Sequence, residues 1–129
     1  MNVRSIVTIA LATAWLFPPS VAAAECEGPE GTSAWAGCVA FKEFERADKQ
    51  LNATYRKLLG ANKMSKPEWK KAKEKLVASQ RAWLAFKDKD CEFDQELSGG
   101  ANKASGLDCQ TEMTKERTIY LERVLEQFK

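Results

Sequence analysis

The chain has 129 residues, with 20 lysines and arginines against 18 aspartates and glutamates, a formal charge of +2, four cysteines and no histidine. That balance excludes a nucleic-acid binder of the strongly basic kind and removes histidine as a general base or metal ligand. The length allows one small domain after any leader, and not two.

Residues 1–24 read as a secretory signal peptide. Arg4 supplies the positive start, Ile6 to Phe17 form an apolar run too short to span a bilayer, and Pro18 and Pro19 break it. Ala22, Ala23 and Ala24 then offer a peptidase small residues, so the mature domain is expected to be residues 25–129. Lipid attachment at Cys26 needs a small residue before it, and Glu25 stands there. The expected product is periplasmic or secreted, unanchored and not membrane-spanning.

The rest of the chain is helical in pattern. A polar lead with Gly28, Pro29 and Gly31 precedes Thr32 and Ser33, which cap a first helix with the face Val39 or Ala40, Phe44, Ala47, Leu51, Tyr55 and Leu58. Gly60 and Asn62 are its stop signals. Ser65, Lys66, Pro67 and Glu68 match a capping box, with proline in the first turn. The second helix then runs to about Leu97, with Trp69, Ala72, Leu76, Ser79, Trp83 and Phe86 at three-four spacing along one face. A glycine-containing stretch follows, and Asp108 is placed as the cap of a third helix whose face reads Met113, Arg117, Tyr120 or Leu121, Val124 and Phe128. No strand alternation or internal repeat occurs. The expected fold is all-α: a disulfide-bonded, up-down-up three-helix bundle.

All four cysteines, Cys26, Cys38, Cys91 and Cys109, follow the leader, and an even count in an exported small domain reads as two disulfides. In an up-down-up bundle all four fall at one end. Neighbours are expected to pair, Cys26 with Cys38 and Cys91 with Cys109. Bridges from Cys38 to Cys91 or Cys109, which would staple helices directly, remain open.

Charge is divided between the two ends. Arg56, Lys57, Lys63, Lys66, Lys70, Lys71, Lys73 and Lys75 gather near the first connection, whereas Asp88, Asp90, Glu92, Asp94 and Glu96 crowd the cysteine end. Compensation of helix dipoles is the preferred explanation, because the cysteine end holds two helix N-termini against one C-terminus. The alternative is a pair of binding poles, one for a basic protein and one for an anionic envelope polymer.

Catalysis has little support. No histidine is present, no thiol is left free once bridges form, no glycine-rich loop follows a strand, and the clustered acids spread around a helix without converging. No enzyme activity, metal or cofactor is expected. Nor is nucleic acid, since Tyr55 and Trp69 beside the lysines fall on core faces. Asp48, Asn52, Gln80, Arg81 and Arg117 read as a polar network between helices that fixes their register. The connection holding Ser98, Gly99, Gly100, Asn102 and Lys103 reads either as a preorganised partner-binding loop or as a plain connector.

Several pieces together resemble the lysozyme inhibitor LprI-like N-terminal domain family of bacterial exported proteins. They are Cys38, then Ala47-Asp48 with Leu51-Asn52 and Tyr55, then Ser79-Gln80-Arg81-Ala82-Trp83-Leu84 with Phe86, Lys87, Asp88 and Cys91. Ser98-Gly99-Gly100 and Cys109 with Thr114, Arg117 and Leu121 complete the pattern, which covers nearly all of the mature chain. The resemblance implies a small helical, disulfide-bonded envelope protein that binds and inhibits lysozyme. Lys87 departs from the pattern, standing where arginine is usual before the aspartate, which weakens a bidentate pair there. The competing expectation is a structural module contacting anionic peptidoglycan, lipopolysaccharide or lipid.

Overall fold

The computed structural model describes residues 25–61, 66–99 and 103–127. They form three helices, α1 (Ser33–Gly60), α2 (Lys66–Leu97) and α3 (Lys103–Glu126), with no strand among the described residues. Asn62, Ser65 and Phe128, singled out in the sequence, lie outside them.

α1 starts where the capping chemistry places it. The Thr32 hydroxyl accepts from the Trp35 amide at 3.3 Å and donates to the Pro29 carbonyl at 2.9 Å, tying the lead to the first turn. Its buried residues are Ala40, Ala47, Leu51, Thr54 and Leu58, a stripe at helical spacing. Lys57 in the last turn suits the helix's negative end. α2 ends at Leu97 because Gly99 turns left-handed, with φ +90°, and donates back to the Glu96 carbonyl at 3.0 Å.

Two expectations are corrected here. On α2 the buried face is not Ser79 and Phe86 but Gln80 and Lys87, one position on; with Trp69 and Cys91 they are the buried residues along this helix. The stripe follows the helical period straight through two polar residues with long apolar stems, leaving Phe86 57% exposed. α3 begins at Lys103, more than a turn before Asp108, which is therefore not its cap. Gly106 lies buried inside that first stretch, and a Cβ there would sit 2.8 Å from Gln95 Oε1 of α2. The missing side chain leaves room for the Gln95 amide, which would otherwise have to shift.

α3 also turns a different face inward from the one its large residues suggest. Thr111, Thr114, Thr118 and Leu121 are buried, whereas Tyr120 is half exposed and Met113 and Arg117 are only partly covered. Small side chains from α1 and α3 thus meet, and these two helices pack closely along their length. α2 sits against α3 less extensively, with Arg117 of α3 over its Trp83 ring, and its Lys87 lies over Phe44 of α1. Directions are plain from the contacts. Gln95 lies beside Gly106, Cys91 is bridged to Cys109 and Gln80 bonds Arg117, so α2 and α3 are antiparallel. The centre is Leu51, Leu58 and Leu121, with Tyr55, Leu76, Trp83, Val124 and Leu125 packed around them.

Both cysteine pairs are neighbours in the chain, Cys26 with Cys38 and Cys91 with Cys109, at Cα separations of 5.9 and 5.6 Å. By the loop-entropy argument each contributes about 2–4 kcal/mol, a large share for a domain of this size.

Thr111 and Thr118 return their hydroxyl protons to carbonyls one turn back, at Leu107 and Thr114, both at 2.8 Å. The fully enclosed Thr114 hydroxyl has no partner among the described residues. Thr114→Val keeps the branched shape and removes that cost. It is expected to stabilise the domain by about 1 kcal/mol, read as an upward shift of the denaturant midpoint.

Candidate functional site

The C-terminal half of α2 divides sharply into two faces. Inward, Lys87 and Cys91 are buried. The Lys87 ammonium stands 5.0 Å from the Phe44 ring centroid on α1 and 5.6 Å from that of Trp83. Two ring faces thus receive a charge that burial would otherwise leave poorly solvated. Among the described residues its carboxylate contact is exposed Asp88, at 3.7 Å. Lysine serves here because the site asks for a point charge between rings and not for a planar fork.

Outward, Phe86, Asp90, Phe93 and Leu97 follow one another at four-, three- and four-residue steps and so share one side of the helix. Phe86, Phe93 and Leu97 are 57%, 62% and 71% exposed. Asp94 and Glu96 flank the stripe on its two sides. A shallow recess beside Phe93 is lined by Lys89, Glu92, Gln95 and Glu96. Lys89 holds Glu92 at 2.6 Å, and that hydrogen bond is the main cause of the raised Lys89 pKa.

Compensation of helix dipoles within each helix would put acids in the first turns of α1 and α3, and neither first turn holds one. Asp94 and Glu96 instead occupy the last turn of α2, which carries no base. They therefore sit at the negative end of their own helix, where each is unfavourable. The dipole of α2 itself therefore does not account for Asp94 and Glu96, which lie at the end of the bundle where two other helices begin.

The sequence-predicted residues fall into separate places. Arg117 joins α3 to α2, its Nε donating to Gln80 Oε1 and its Nη2 to Ser79 Oγ, both at 3.0 Å. Its guanidinium also lies over the Trp83 and Tyr120 rings at 5.7 and 5.1 Å. Burial lowers the Arg117 pKa from its ordinary value, with Tyr120 acting in the opposite direction. Asn52 donates to Asp48 at 2.8 Å within α1, apart from that cluster, and Arg81 is exposed with no hydrogen bond or ion pair among the described residues. Ser98 and Gly99 are exposed directly beyond the stripe. Gly100 and Asn102 lie outside the described residues, and Lys103 opens α3.

Sequence reasoning missed the stripe because it placed Phe86 in the core. The recurrence of Phe86, Phe93 and Leu97 was the available signal, offset by one position from the buried series. Among the described residues no group of acids and cysteines is arranged to hold a metal, and no helix is long and apolar enough to cross a membrane.

Comparison with known proteins places the chain at family level. The sequence model of a family described as lysozyme inhibitor LprI matches residues 23–121. An uncharacterized protein of Rhizobium meliloti (strain 1021) is 33% identical over 96 residues, covering 66% of this chain and 68% of its own length. No solved structure matches. With nearly the whole helical domain inside the matched span, the chain belongs to the lysozyme inhibitor LprI family.

Proposed function

We propose that this protein is exported and binds lysozyme-type muramidases without catalysis, blocking the substrate cleft with the outer face of α2 and the loop after it. The observation that carries the reading is the exposed stripe of Phe86, Phe93 and Leu97 set among acids. Small soluble domains seldom leave apolar side chains of this size side by side in water unless a partner covers them. Aromatic anchors within a polar rim are the usual composition of a protein interface.

Charge selects the kind of partner. Asp88, Asp90, Glu92, Asp94 and Glu96 face a single exposed base, Lys89, in this segment. Like charges disfavour a second copy of the chain as the occupant and favour a basic protein. Animal lysozymes are basic, so the acids would steer the encounter while the apolar side chains hold the complex. Muramidase cleavage depends on a pair of carboxylates flanking the glycosidic bond, so occupying the cleft is enough to stop it. Ser98 and Gly99 extend the exposed surface, and the sequence that follows, with Gly100, Asn102 and Lys103, supplies an amide and an ammonium of the kind that pairs with carboxylates.

The test is titration of oxidised residues 25–129 into animal-type and bacterial lysozymes under a cell-wall turnover assay. Stoichiometric loss of activity that weakens as salt rises is the expected result. Full activity at micromolar excess of the protein would overturn the reading.

A further inference from the structure

The opposite end of the molecule has its own unassigned surface. A shallow recess of about 470 Å³ opens there between α1 and α2, lined by Leu59, Lys70, Lys73, Glu74 and Val77. Its lining is almost entirely carbon, and its volume lies within the range of small-ligand sites. The Lys73 ammonium lies 5.6 Å from the Trp69 ring centroid. Among the residues whose side chains are described between Arg56 and Val77, the cations Arg56, Lys57, Lys70, Lys71, Lys73 and Lys75 outnumber the acids Glu68 and Glu74. Arg56, Lys57, Lys70, Lys71 and Lys75 are exposed.

Helix dipoles explain only part of this excess. Lys57 suits the last turn of α1, but Lys70, Lys71, Lys73 and Lys75 lie in the N-terminal half of α2, the end that favours anions. Nucleic acid fits poorly, because Trp69 is 8% exposed and Tyr55 packs on the core, leaving no ring for a base to stack on. A polysaccharide such as peptidoglycan has no chain to fill a carbon-lined recess. We infer that the basic end binds the surface of an anionic phospholipid membrane, with a lipid acyl chain entering the recess between Leu59 and Val77 and its headgroup meeting Lys70. This site is separate from the acidic face and goes beyond the muramidase reading. It would also turn the acidic face away from the membrane, toward arriving proteins.

Co-sedimentation of oxidised residues 25–129 with vesicles tests it, using equal parts phosphatidylglycerol and phosphatidylcholine against phosphatidylcholine alone. Binding only to the anionic vesicles is expected. Lys70→Gln with Lys71→Gln should weaken it about thirtyfold, the worth of two lysines near such a surface. Val77→Gln should weaken it severalfold with helicity by circular dichroism unchanged, and Glu74→Gln, removing the acid at the rim, should strengthen it. Equal binding to neutral vesicles, retention of peptidoglycan in place of vesicles, or full binding by Val77→Gln would each overturn the inference. Muramidase inhibition, measured on the same variants, should not move, so the two readings fail independently.

Discussion

Phe93→Ala should weaken muramidase inhibition about thirtyfold while leaving the denaturant midpoint where it was. The ring is 62% exposed, so truncating it removes little buried area from the folded chain. In a complex the same ring would lie at the centre of the stripe, where anchors of this kind are worth about 2 kcal/mol or more. Asp94→Lys sharpens the test because it moves two quantities in opposite directions. Against a basic partner the substitution replaces attraction by repulsion, and inhibition should fall about tenfold at low salt. At the last turn of α2 a lysine is favoured over an aspartate, and stability should rise by about 0.3–1 kcal/mol. Inhibition constants and urea midpoints on the same preparations decide the matter. If Asp94→Lys lowers stability and leaves inhibition unchanged, the acids are structural and the proposed surface is wrong.

Leu121→Ala should be the most damaging single core change, costing about 3 kcal/mol. Leu121 is 0% exposed and completes the cluster with Leu51 and Leu58, so its loss leaves a hole between two closely packed helices that have little room to collapse. Its neighbour Tyr120 is 50% exposed, and Tyr120→Ala should cost only what the ring contributes over the Arg117 guanidinium. Thermal unfolding of the two variants should separate clearly. Equal shifts would mean that α3 is turned differently from the arrangement described.

The helices, the Thr32 cap, the Leu97 terminus and the pairing of neighbouring cysteines were all legible in the sequence, because each follows from local chemistry or from short chain separation. The inward face of α3 was not. Thr111, Thr114 and Thr118 look like surface residues until a second helix of small residues lies against them, and only tertiary packing reveals that. The sequence marks Lys87 only as a departure from the family pattern, and nothing local announces that Phe44, from a distant part of the chain, supplies a ring above it. Gly106 reads in the sequence as the end of the glycine-containing connection, yet it lies within α3 and against Gln95 of the neighbouring helix. The outer stripe was hidden by a one-residue ambiguity. Phe86 and Lys87 compete for the same turn, and apolar character alone chooses the wrong one. At the proposed binding surface, local preference and structure disagree in the same place, as expected where function and stability make different demands.

The intimate pairing of α1 with α3 has a consequence for how the chain acquires its structure. The helices that share Leu51, Leu58 and Leu121 are the first and last of the domain, so a nascent or threaded chain cannot close its core until the final helix is present. Everything before it is a pair of helices with their apolar sides still open. A polypeptide built this way lacks a closed core for as long as α3 is withheld.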